Sequence, residues 1–244
     1  KILRDIKKQG HKRILVRSPI VGGPADGGVY ARDVGIRERS GFSPIGDYVG
    51  LGAAQAISEP LTQAQISSKH SGGVAGGAKG VSGFKLIDQL VNVPRTFQGG
   101  ATHSQFDGKV QKIEDAPQGG KYITVQGEQH YVLPGLLPNV KVGAVVEAGD
   151  VLSAGIPNPA EIVNHKGIGE GRRYFVNAMK SAYADANVYA HRRNMELVSR
   201  GLIDHVRLED EIGSYVPGDV VPYSALVNAY KPRMGSRVVD YRQA

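Results

Sequence analysis

Apolar positions along the chain change their period twice, near Ser104 and near Pro159, and these changes set the expected organisation. Ile2, Leu3 and Ile6 share one face of a short predicted helix that Gly10 ends, and Ile14-Leu15-Val16 continues it as an extended strand. Val21 to Gly28 is rich in Gly and Pro and reads as a loop; Tyr30 to Arg39 is charged and irregular. From Asp47 to Gln55 apolar residues recur at helical spacing, which predicts a buried helix. Pro60 then marks a kink or a restart, with Ser58 as the N-cap of the second piece. Between Ser71 and Gly83 glycine dominates without periodicity, which predicts a mobile or extended stretch.

A β-rich module is expected from Ser104 to Gly155. Asp107-Gly108 carries a hairpin signal, and Lys121 to Gln126 should pair with Gln129 to Leu133 around Gly127-Glu128. Val140 to Leu152 reads as strand, turn, strand, and its spaced glycines suit a small barrel-sandwich such as a biotinyl or lipoyl carrier. The modifiable Met-Lys hairpin of such carriers is missing, so only the barrel-like fold is expected. After Pro159 the chain turns helical. Gly167 to Gly171 breaks a first helix, and Arg172 to Asn187 forms a second with Tyr174, Phe175, Ala178, Met179, Ala182 and Tyr183 as its apolar stripe. Arg193 to Gly201 forms a third; Val206 to Leu208 and Tyr215 to Tyr223 add short strands. The expectation is therefore an α+β fold with segments at residues 1–45, 46–103, 104–158 and 159–244.

Composition narrows the picture only a little. The 244 residues are 41% hydrophobic and 22% charged, ordinary for a globular chain. No run approaches the length of a membrane span and no secretory leader is visible, so a cytoplasmic setting is the default expectation. The chain has no cysteine, which removes disulfides and thiolate metal sites. A net charge of +7 suits an anionic partner, with Lys7, Lys8, Lys12, Arg13 and Arg17 in one cluster and Arg172, Arg173, Arg192 and Arg193 in later ones. Aromatic residues do not interleave these clusters, so contacts to a nucleic-acid backbone are conceivable and base readout is not suggested. Asp204, Glu209, Asp210 and Glu211 lack metal-ligand spacing and read as a solvated acidic loop.

The most specific signal is the run Gly46-Asp47-Tyr48-Val49-Gly50-Leu51-Gly52-Ala53-Ala54-Gln55-Ala56-Ile57-Ser58-Glu59-Pro60-Leu61-Thr62-Gln63, followed by His70-Ser71-Gly72-Gly73. It resembles the start of the trigger loop of the β′ subunit of multisubunit DNA-directed RNA polymerases. The resemblance continues in family order through Leu15-Val16-Arg17-Ser18-Pro19, Phe106-Asp107-Gly108-Lys109-Val110, Val145-Val146-Glu147-Ala148-Gly149-Asp150-Val151-Leu152 and Arg173-Tyr174-Phe175-Val176-Asn177. It implies that residues 46–103 form a trigger-loop-like helical hairpin, residues 104–158 a barrel-sandwich-like module, and residues 159–244 a packed helical segment.

The same resemblance places Gln63 near a nucleotide ribose and His70 near its phosphates, where an imidazole would stabilise charge on departing pyrophosphate. It assigns no cofactor to this chain, since the magnesium-binding Asp-rich loop would sit on another chain or segment. It implies other polymerase subunits as partners. Departures from the family pattern are equally specific: Ser67 stands where a phosphate-contacting Arg is usual, Ile66 where a Met packs on the base, and the zinc cysteines are gone from the region of Ser18 to Gly35. Two readings stand side by side. One is a polymerase segment that contributes to nucleotide addition within a larger assembly. The other is a repurposed, non-catalytic structural or interaction protein, such as a phage virion component partnered by other virion proteins, that keeps the β′ fold.

Overall fold

The computed structural model describes residues 2–10, 15–20, 23–24, 27–37, 41–70, 83–94, 97–208, 210–226 and 237–238. Its elements are α1 (Ile2–Lys8), α2 (Ala31–Val34), α3 (Val49–His70), α4 (Phe84–Asn92), β1 (Gly108–Asp115), β2 (Lys121–Val125), β3 (Glu128–Val132), β4 (Val145–Val146), α5 (Pro159–Lys166), α6 (Ile168–Asp185), α7 (Arg192–Leu202), β5 (His205–Arg207), β6 (Val220–Pro222), α8 (Tyr223–Leu226) and β7 (Arg237–Val238). The fold is α+β, as the pattern implies.

The β module is a curled antiparallel sheet in the order β3-β2-β1-β4. Its best-defined hairpin joins β2 to β3 through Gln126 and Gly127, both at positive φ (53° and 87°), so that Val125 pairs with Glu128. Two left-handed residues match the right-handed twist of the flanking strands, as a tight hairpin requires. Alternate side chains then point inward, and Val110, Ile123, Val125, Val132, Val146 and Leu152 form a closed core. Asp107-Gly108 forms no hairpin. Asp107 instead accepts a hydrogen bond from the Ala148 N–H at 2.7 Å, and Gly108 opens β1 opposite Val146. The expected strand-turn-strand over residues 140–152 shrinks to the two residues of β4 and a single bridge at Val151.

A second, larger core lies among the helices, built from Phe175, Val176, Met179, Ala182 and Tyr183 of α6 with Leu90, Val163, Met195 and Ile203. The stripe expected on α6 is thus the buried one, with Val176 added and Tyr174 and Ala178 only partly buried. Helix α5 starts at Pro159, capped by Asn158, whose side-chain oxygen accepts from the Ala160 N–H at 3.0 Å. The break before α6 is confined to Gly167, and the helix resumes at Ile168 and runs through Gly169 and Gly171. Gly171 is there for packing. A Cβ on it would lie 1.9 Å from Val163 Cγ2, so its absence lets α5 and α6 cross closely. Gly→Ala inside a helix ordinarily gains about 1 kcal/mol. At Gly171 the sign should reverse, to a loss of about 1–3 kcal/mol from overpacking, measurable by urea denaturation.

The N-terminal strand expected at Ile14-Leu15-Val16 does not form in the described part. Leu15 and Val16 are fully and largely exposed, in no strand, and Ile14 lies outside the described residues. The segment after them is held by polar contacts rather than by a sheet. Ser18 donates to Glu196 at 3.0 Å, Arg200 donates to the Pro19 carbonyl at 3.0 Å, and Arg172 donates to the Ile20 carbonyl at 2.9 Å. A small sheet in the order β6-β5-β7 completes the helical body.

Candidate functional site

Helix α3 carries both residues singled out by sequence, and it forms differently from expectation. It is one helix from Val49 to His70 with Pro60 inside it. Ser58 is no N-cap; its hydroxyl donates to the Gln55 carbonyl at 3.3 Å, and Thr62 donates to the Ser58 carbonyl at 3.1 Å. Pro60 cannot donate to the carbonyl of Ala56, but Ala56 lies on the exposed side, where water replaces the missing partner. On the opposite side Tyr183 donates its hydroxyl to the Ile57 carbonyl at 3.0 Å, fastening the helix beside the proline. Burial raises the Tyr183 pKa, which keeps that hydroxyl a donor.

The helix is not buried over Asp47 to Gln55. Of the described side chains of α3 only Ala53 and Ile57 are buried, Leu61 and Ala64 pack on the helical core, and Tyr48 and Leu51 are 83% and 64% exposed. Helix α3 packs on α7 while α4 packs on α6. Of the expected mobile glycine-rich stretch, Ser71 to Gly83, residues 71–82 lie outside the described residues, as do the side chains of Ser67 to His70. The described part of residues 46–103 is thus two helices, α3 and α4, with the connection expected to complete a hairpin outside the described residues.

Gln63 is exposed, and its amide donates to Glu59 Oε1 at 3.4 Å, one turn earlier. His70 ends the helix two turns beyond Gln63, which at 3.6 residues per turn sets both backbones on one face. At Gln63 that face is exposed. At the other end of α3, a groove of about 1050 Å³ runs between the helix, α7 and residues 34–37 and 41–44, with Ile36, Phe42, Ala53 and Leu197 along it. Its cations are already engaged: Arg37 pairs with Asp47 at 2.6 Å, while Arg193 donates to the Asp33 carbonyl and lies 3.5 Å from Glu196.

Several charges that looked available for an anionic partner are structural. Arg172 is buried and donates to the Ile203 carbonyl, the Ile20 carbonyl and Asp204 at 2.7, 2.9 and 2.9 Å. Burial lowers its pKa to about 10, against the pull of Asp204, so the guanidinium stays charged at neutral pH. Arg192 pairs with the buried Glu196 at 2.8 Å. The acidic loop loses Asp204 to Arg172; Glu209 lies outside the described residues. Sequence reading missed Glu196 and His103, both buried polar groups. The i,i+4 spacing from Arg192 to Glu196 was the one available signal.

Among the described residues no group of three or more His, Cys, Asp or Glu is placed to hold a metal, and no helix is long and apolar enough to cross a membrane. What α3 offers is a set of outward hydrogen-bonding and apolar side chains along one helix. Such a face can bind and orient a ligand brought to it.

No family model matches the chain. Among curated proteins it is similar to the "DNA-directed RNA polymerase subunit beta'" of Acholeplasma laidlawii, 32% identical over 208 residues, covering 82% of this chain and 15% of the relative. The subunit of the same name from Syntrophomonas wolfei is 31% identical over 230 residues, 91% of this chain and 19% of the relative. That of Clostridioides difficile is 34% identical over 180 residues, 72% and 15%. The chain thus spans less than a fifth of the length of these relatives.

Proposed function

This chain belongs to the family of the β′ subunits of DNA-directed RNA polymerases, and we propose that it supplies the trigger-loop-like element of nucleotide addition within a larger polymerase assembly. The observation that carries this reading is the fit of the family's most specific run to one structural object. Gly46 to His70 spans helix α3 and the turn before it, anchored on one side by Ala53 and Ile57, with Gln63 turned outward. A helix presented in this way suits a second macromolecular surface and a nucleotide beyond it. In this reading Gln63 contacts the ribose, and His70 donates to the phosphates as pyrophosphate leaves. Magnesium is held by another chain or segment, and other polymerase subunits cover the exposed Tyr48 and Leu51.

The variant that tests it is His70→Ala in the complete assembly. Nucleotide addition should slow about 10- to 1000-fold, the range for losing one transition-state donor, with co-purification of the polymerase chains unchanged. An unaltered elongation rate in an active polymerase removes His70 from the site. One observation favours the second reading, a structural component that keeps the β′ fold: Ser67 lacks the forked cation of the family pattern. That reading wins if the chain assembles into a particle, such as a virion, without polymerase activity.

A further inference from the structure

The two hydrophobic cores share no residue, and the seam between them is polar. On the module side stand His103 and the turn at Gly149 and Asp150; on the helical side stand Asn158 and α5. Gly149 lies at φ 85°, and a Cβ there would come 2.8 Å from His165 Cβ, so the turn rests directly on the last turn of α5. Asp150 pairs with Lys166, and Tyr174 donates to the Pro157 carbonyl at 2.6 Å. Among the described residues, these contacts tie the β module to the helices beside the main-chain bonds near Ile156.

His103 sits at the centre of this seam, 5% exposed. Its Nδ1 is 2.9 Å from the Gly149 carbonyl oxygen, and its Nε2 is 3.1 Å from the Asn158 N–H that begins the cap of α5. A carbonyl only accepts and a main-chain amide only donates, so the ring must be neutral with its proton on Nδ1. A second proton would set Nε2–H against the Asn158 N–H, donor against donor. We propose that His103 is a proton-operated latch: neutral, it ties the β module to the N-terminus of α5, and protonated, it releases the module as a unit.

The charges facing the ring settle the direction. Burial is the largest influence and lowers the His103 pKa below its ordinary value of 6.5; the Gly149 carbonyl and Glu161 oppose this, while His165 and Lys166 add to it. The carboxyl of Asp150 is desolvated, yet the Glu147 N–H and Lys166 outweigh that and hold it below the usual range, so it stays ionised across the window concerned. A depressed folded pKa means the unfolded or opened seam binds the proton better. The latch is therefore closed above about pH 6.5 and is lost as pH falls through the folded value. Each unit of depression multiplies the opening constant tenfold once both forms are protonated.

The test is a pH titration of the ¹⁵N-labelled chain from 7.5 to 4.5. The His103 ring should titrate below 6.5. Amide protection at Asn158, corrected for intrinsic exchange, should fall over the same window, while Ile123 and Val125 in the module core keep theirs. In His103→Gln, which carries a neutral donor and acceptor and does not titrate, the pH dependence at Asn158 should flatten. Should that variant fail to fold, the wild-type titration still decides. Protection at Asn158 that does not change while His103 titrates, or that falls together with the module core, overturns the proposal.

Discussion

Arg172→Met should destabilise the protein by about 3–5 kcal/mol, seen as a shift of the urea midpoint with little change in slope. The methionine replaces the length of the side chain and none of its hydrogen bonds. Three acceptors lose their partner at once, two of them main-chain carbonyls, at Ile203 and Ile20, and one the carboxylate of Asp204. A buried carbonyl left without a donor costs about 1–3 kcal/mol, and a carboxylate more. Arg172→Lys should recover little, because one ammonium cannot span three acceptors that a planar guanidinium reaches in different directions. The first regions to loosen should be the 15–20 segment and β5, since Arg172 is what connects them to α6. Hydrogen exchange at Ile20 and Val206 is the check, and a midpoint within 1 kcal/mol of wild type would show that water substitutes for the guanidinium.

The parts legible in the sequence are those where local chemistry and tertiary packing agree. The β2–β3 hairpin follows from alternation on both sides of Gly127, and the α5–α6 break follows from Pro159 and Gly167. Where the two conflict, packing decided. Ile14-Leu15-Val16 has strong strand propensity, yet no edge lies beside Leu15 and Val16, and the neighbouring Ser18, Pro19 and Ile20 are gripped by side chains more than a hundred positions away. Pro60 reads as a boundary, but a proline is tolerated inside a helix when the carbonyl it orphans faces solvent. The cations of α6 and α7 read as a surface for anions because sequence cannot show that Glu196 and Asp204 arrive to meet them. Gln63 stood out only through the motif that carries it, and the structure shows it exposed on α3, a position that periodicity alone did not mark.

The other large expected effect is Phe175→Asp. Phe175 is fully buried at the centre of the helical core, among residues from α4, α5 and α7. Removing the ring alone costs about 3–5 kcal/mol. An unpaired carboxylate in its place adds several more, or must bind a proton to stay inside. The sum reaches the whole stability of an ordinary domain, about 5–15 kcal/mol, so the helical body should unfold at neutral pH. The two-core architecture makes the outcome more specific than simple loss of the fold. Val110, Ile123, Val125 and Val132 close a separate core that touches Phe175 nowhere. Helical circular dichroism should therefore collapse, while slow exchange persists at Ile123 and Val125. Phe175→Leu, which keeps an apolar side chain of reduced volume, should retain the helices. Loss of protection in the module together with the helices would mean that the seam at His103 couples the two cores into one cooperative unit.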